Sequence, residues 1–196
     1  PESVQVNIEV RKILTQAQIL SKRGARKCAG IMLEKVNMLC KKYELYEEWL
    51  ISLRLCMRKN ALEQGGKKVK KMMSEYLKVD QCKNAVLRAE LNYYEVISYT
   101  DFRQASSIQI NWLKNVLKQM QADYKKTKSK QVGYFFYYLK AQYFQCIHNY
   151  KNARQSFLNI QRLLDAGFIF NSPEIIGGLY YNIGENDLFV QQFNRS

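Results

Sequence analysis

Proline is nearly absent from this chain and glycine is sparse, with 2 and 9 residues among 196. Breakers this rare leave little room for long loops and favour helices joined by short turns. Histidine occurs once, as His148, with no carboxylate or cysteine cluster beside it in sequence. A turn residue is therefore preferred to a metal ligand or general base at that position. The five cysteines (Cys28, Cys40, Cys56, Cys82, Cys146) are an odd, widely spaced set without a C-x-x-C pair. That spacing argues against a disulfide framework or a zinc site, and for reduced, mostly buried thiols in a cytoplasmic setting. No signal peptide is legible. No apolar run approaches the ~20 residues that a membrane helix needs; the longest, residues 132–139, ends at Lys140.

What is present is the balance of a folded protein: 47% hydrophobic and 24% charged residues. Such a chain buries enough apolar surface to escape disorder. Its formal net charge is +14, a field that attracts acidic surfaces, nucleic acid or anionic lipid. The excess is uneven. Residues 1–150 hold 27 Lys/Arg against 13 Asp/Glu, and residues 151–196 hold 4 of each. The chain begins at Pro1 without methionine and stops inside a helical pattern, so it is expected to be a piece of a longer protein.

Helical periodicity runs through every window. In residues 134–165, Tyr137, Ala141, Phe144 and Ile147 share one face; after a turn at 148–150, Ala153, Phe157, Ile160 and Leu164 share another. Two helices joined by so short a turn lie antiparallel. Residues 10–43 repeat the pattern. Setting Ala29 on Ala153 brings Ala17 onto Ala141, Leu20 onto Phe144, Leu33 onto Phe157 and Val36 onto Ile160, with Arg23-Gly24 at the turn. A third copy is expected over 170–196, with Gly177 and Tyr180 inward, Gly184 at the turn and Phe193 inward. Between the copies, 43–80 and 84–125 form two more divergent helix pairs.

These positions resemble the tetratricopeptide repeat, whose units of about 34 residues place small residues where paired helices touch and large ones in the groove between pairs. Ala17, Leu20, Gly24, Ala29 and Leu33 match that pattern, as do Ala141, Phe144, Ala153 and Phe157. The repeat's early Trp is Ile13 or Tyr137 here, Phe189 stands where Ala is expected, and the late Pro is missing. The fold expected is all-α, a tetratricopeptide-like α-α superhelix of about five antiparallel hairpins and about ten helices, running as one array over 1–196.

Catalytic signatures are lacking. Gly65-Gly66-Lys67-Lys68 has neither the first glycine nor the Ser/Thr of a phosphate-binding loop, and it follows no strand. No G-x-S-x-G, H-E-x-x-H or Cys/His pairing occurs. Glu44, Glu47 and Glu48 are read as an exposed helix start that complements the helix dipole. Lys67, Lys68, Lys70 and Lys71 bracket Val69 and Met72, the pattern of a solvated helix face; Lys125, Lys126, Lys128 and Lys130 are read as a solvated loop. No enzyme activity, cofactor or metal is expected.

In tetratricopeptide proteins the concave groove, lined by the first helix of each pair, commonly holds a peptide. The resemblance implies the same here, without the family's Lys/Asn/Arg carboxylate clamp. The groove residues it implies are Arg11, Leu14, Thr15, Gln18 and Lys22; Phe135, Tyr138, Leu139, Gln142 and Gln145; and Asn171, Glu174, Tyr181 and Asn182. Amides such as Gln142 and Asn182 suit a peptide backbone, offering both donor and acceptor. The expected function is a protein- or peptide-binding scaffold, with acidic partners included. The alternatives are a nucleic-acid-binding array and a sensor segment controlling a domain outside this chain. Phe189, Val190 and Phe193 are expected to leave an apolar face on the last hairpin, open to self-association.

Overall fold

A computed structural model describes residues 2–63, 66–98, 105–167 and 172–193 of the chain. Among the described residues it contains eight helices and no strand. They are α1 (Glu2–Lys22), α2 (Arg26–Tyr43), α3 (Tyr46–Glu63), α4 (Gly66–Ser98), α5 (Ser107–Thr127), α6 (Lys130–Cys146), α7 (Tyr150–Asp165) and α8 (Pro173–Phe193). Contacts divide the chain into two compact units, Pro1–Asn84 and Ala85–Ser196.

The first unit packs α2 against both α1 and α3. Ala29, Leu33, Val36 and Cys40 recur every three or four residues along α2, and all are buried. Ala17 meets them from α1 at 1% exposure, where a larger side chain would hold the helices apart. The α1–α2 turn is closed by Gly24 at φ 83°. Ala25 N–H donates to Leu20 C=O and Gly24 N–H to Ser21 C=O, which satisfies carbonyls that a helix end leaves open.

In the second unit α6 packs on both α5 and α7, and α8 packs on α7. One core gathers Ala85, Ala89 and Val96 of α4 with apolar residues of α5 and α6; another gathers Ala141, Phe157, Ile160, Leu164, Leu179 and Ile183. Caps set the helix starts. Ser106 and Gln109 form a reciprocal capping box on α5, Ser129 caps α6, and Asn149 accepts from Asn152 N–H to open α7.

Two expected turns do not exist. Residues 80–83 contain no breaker, and α4 runs unbroken from Gly66 to Ser98, with Asn84 donating to the Asp80 carboxylate one turn back. Gly184 lies inside α8, so residues 173–193 form one helix instead of half a hairpin; glycine lowers helix propensity by about 1 kcal/mol but does not end a helix that is packed along one side. The frame of that third copy is displaced. Leu179 and Ile183 are buried, while Gly177 and Tyr180 are exposed, and a Cβ at Gly177 would meet nothing within 4 Å.

Further corrections concern single residues. Glu48 is not exposed: it is buried and accepts from the Arg11 guanidinium at 2.8 Å. Lys125 and Lys126 belong to the last turn of α5, and Lys130 opens α6 with its ammonium on the Ala166 carbonyl. Phe189 is half-buried and stacks on Tyr150 at 4.6 Å, and Asp187 pairs with Arg154, so this part of α8 is docked on α7. The Phe193 side chain lies outside the described residues.

Candidate functional site

α6 is apolar around most of its circumference, and its two faces do different work. Phe135 and Leu139, four apart, are buried in the core shared with α4 and α5. Tyr134 and Tyr138, also four apart, lie one residue round the helix and reach the other core of the unit. There they meet Tyr93 of α4 and, from α8, Glu174, Gly178 and Asn182. Together with Phe157, Ile160, Ile175 and Leu179 these side chains enclose an open cavity of about 230 Å³.

The tyrosines form a set. Tyr93 and Tyr138 meet edge to face at 5.1 Å, Tyr134 and Tyr138 lie 6.5 Å apart, and Tyr138 contacts Phe157 at 6.0 Å. Edge-to-face packing matches the positive rim of one ring to the negative face of the next. Burial pushes the Tyr93 hydroxyl up to about 12, aided by the nearby Tyr138 phenol and by a hydrogen bond to it. Burial raises Tyr134 and Tyr138 as well, while hydrogen bonds from Tyr93 and Gln142 pull Tyr138 back. All three are neutral phenols at physiological pH. At the rim, Glu174 is held ionised, below the usual carboxylate range, by Ser172 and by its own backbone N–H at the start of α8. Asn182 donates to the Gly178 carbonyl at 2.7 Å, which leaves its amide oxygen to accept.

Of the expected groove residues, the structure brings Tyr138, Glu174 and Asn182 to this cavity, with Gln142 hydrogen-bonded to Tyr138. Phe135 and Leu139 are core, and Leu14 is core of the first unit. Tyr181 is 70% exposed on another side of α8, and Gln145 is half-buried near the end of α6. Arg11 is engaged with Glu48, Thr15 donates to the Arg11 carbonyl, and Gln18 and Lys22 border a different cavity in the first unit. Asn171 lies outside the described residues. Tyr93, Tyr134 and Gly178 were missed. The i, i+4 pair of Tyr134 and Tyr138 was a legible signal for one of them; nothing local in sequence points Tyr93 at α6.

Of the five cysteines Cys28 is exposed, while the other four are partly or fully buried. Burial pushes Cys40 up to about 12 and Cys146 up to about 11, and raises Cys56 and Cys82, which removes the thiolate that would react. Among the described residues no group of three or more His, Cys, Asp or Glu is placed to hold a metal ion, and no helix is long and apolar enough to cross a membrane. No protein-family model, curated protein or solved structure matches this chain.

Proposed function

We propose that this chain is a non-catalytic, cytoplasmic binding scaffold of the tetratricopeptide-like kind, and that the tyrosine-lined groove of its second unit holds an anchor side chain of a partner peptide. The observation that carries this reading is the groove itself: three neutral phenols, a fixed carboxylate and an amide acceptor around an apolar floor. At about 230 Å³ it lies below the 300–1,000 Å³ usual for small-molecule and cofactor sites. It suits one inserted side chain. Rigid aromatic rings with hydroxyls are the surfaces that anchor residues favour, because they bury area at low entropic cost. The lining helices α4, α6 and α8 alternate along the chain, as the first helices of successive pairs would in such an array. Among the described residues the groove carries a carboxylate and no cation, which disfavours here the acidic partners suggested by the net charge and favours an apolar or cationic anchor.

Gly178 supplies the test. A Cβ there meets nothing within 4 Å, so Gly178→Leu fills the groove from an exposed helix position without disturbing the backbone. Peptides enriched from a displayed random library should lose at least tenfold in affinity for Gly178→Leu and for Tyr138→Ala. Enriched peptides that bind both variants as tightly as the parent would place the binding face elsewhere.

A further inference from the structure

The first unit contains a second cavity of unlike chemistry, independent of the peptide reading. It opens between the end of α1, the start of α2 and the last turns of α3, with a volume of about 470 Å³. Lys22, Arg26, Arg58 and Lys59 line it, with Gln18 and Ser21 beside them and, among the described residues, no acidic residue in the wall. Four cations elsewhere in the chain have carboxylate partners: Arg11 with Glu48, Lys35 with Glu9, Arg88 with Asp123 and Arg154 with Asp187. None of the four cavity cations has a carboxylate within ion-pair distance among the described residues.

Lys59 is not a stray surface lysine. It is half-buried, and it lies so close to α2 that a Cβ on Gly30 would fall 2.3 Å from its ammonium nitrogen. Only glycine at position 30 lets the charge settle there. The start of α2 adds to the same field. Its cap, Ala25, offers no side-chain acceptor, and its first turn holds no acidic residue, so the positive end of the helix is uncompensated beside Arg26.

The geometry points to a site for a small molecule carrying two or more phosphate groups. Four cations converging on one cavity repel one another until a compact polyanion enters, and concave walls concentrate their field. Two guanidinium forks match phosphate oxygens in pairs, while the two ammonium groups act as point charges. A single carboxylate would leave most of that charge unanswered. An extended acidic peptide presents same-side carboxylates roughly 7 Å apart, too widely spaced to bring four charges into this volume. Linked phosphates achieve that density.

The test is calorimetric titration of the full chain with sodium tripolyphosphate at low ionic strength. We expect one site per chain, weakened at least tenfold in Arg58→Gln/Lys59→Gln and equally in Lys22→Gln/Arg26→Gln, whose side chains are exposed and safe for folding. Gly30→Ala should weaken binding severalfold with no change of net charge, because the displaced atom is the tip of a flexible side chain. The charge-matched control Lys70→Gln/Lys71→Gln, on exposed positions of α4, should stay within about twofold. An equal loss in that control would reduce the effect to net charge and overturn the site. Tighter binding of a charge-matched oligothymidylate or poly-glutamate peptide, lost in the same cavity variants, would overturn the ligand class.

Discussion

His148 stands at the end of α6 in the left-handed backbone conformation that Gly24 adopts at the end of α1, with φ 55° and 83°. The hydrogen bonds correspond as well. Asn149 N–H reaches the Phe144 carbonyl as Ala25 N–H reaches that of Leu20, and His148 N–H reaches Gln145 as Gly24 N–H reaches Ser21. One turn closes both hairpins, once with the residue best suited to it and once with a β-carbon in the way.

The strain at His148 is removable. A side chain in this conformation costs on the order of 1 kcal/mol that glycine does not pay, and the ring's contact with the Tyr150 hydroxyl at 3.1 Å is exposed. His148→Gly should therefore raise the unfolding free energy by about 0.5–1 kcal/mol in a denaturant titration. His148→Ala should give no such gain. A loss in both variants would mean that the contact with Tyr150 outweighs the strain.

Ala153 tests the packing frame. It is fully buried on α7, where α6 approaches closely. Ala153→Leu should overpack that contact and destabilise the second unit by roughly 1–3 kcal/mol, and Ala29→Leu should do the same between α1 and α2. Melting temperatures indistinguishable from the parent would show that neither alanine sits between paired helices.

Asn186 is a stability reserve. Its side chain has no solvent exposure; its amide donates to the Asn182 carbonyl at 2.6 Å, and its own oxygen has no partner among the described residues. The Asn182 carbonyl keeps its helical partner if that amide is removed. Asn186→Leu should stabilise the chain by about 1 kcal/mol, since an unpaired buried acceptor costs that much or more. A drop in thermal midpoint would indicate a buried water bound at Oδ1.

The tyrosine groove predicts an alkaline signature. Tyr93 is raised in the folded state to about 12 from an ordinary value of 10.0, and a raised folded value means that the unfolded chain loses its proton first. The stability linked to this proton is complete below about pH 10 and is lost as pH rises through about 12. Phenolate absorbance should therefore show a late-titrating class of tyrosines. Tyr93→Phe and Tyr138→Phe should shrink that class, and its persistence in both would place the protected phenols outside the groove.

Much of the fold was legible in local pattern. Ala29, Leu33 and Val36, like Ala153, Phe157 and Ile160, fall at helical spacing and are buried as that spacing requires. The turns at 24 and 148 announced themselves by lost periodicity. The errors came where periodicity continues and no breaker intervenes. Residues 80–83 and Gly184 fit a repeat frame as turns, yet each is compatible with uninterrupted helix, and the helix runs on through both. The groove was legible only in part, because Phe135 and Tyr138 look alike in a list of aromatic residues.

The sequence by itself determined that this chain is helical, where its two clear hairpins turn and which small residues their helices share, since these follow from spacing within a few turns of chain. Tertiary structure decided which side of each apolar helix became core and which became groove. It also decided which charges were paired: Glu48 is buried on Arg11, 37 positions away in sequence, and Lys59 rests on Gly30, 29 away. Such partners are brought together by the packing of helices on one another. No local periodicity encodes a distance of that kind, because the free energy that sets it belongs to the assembled core.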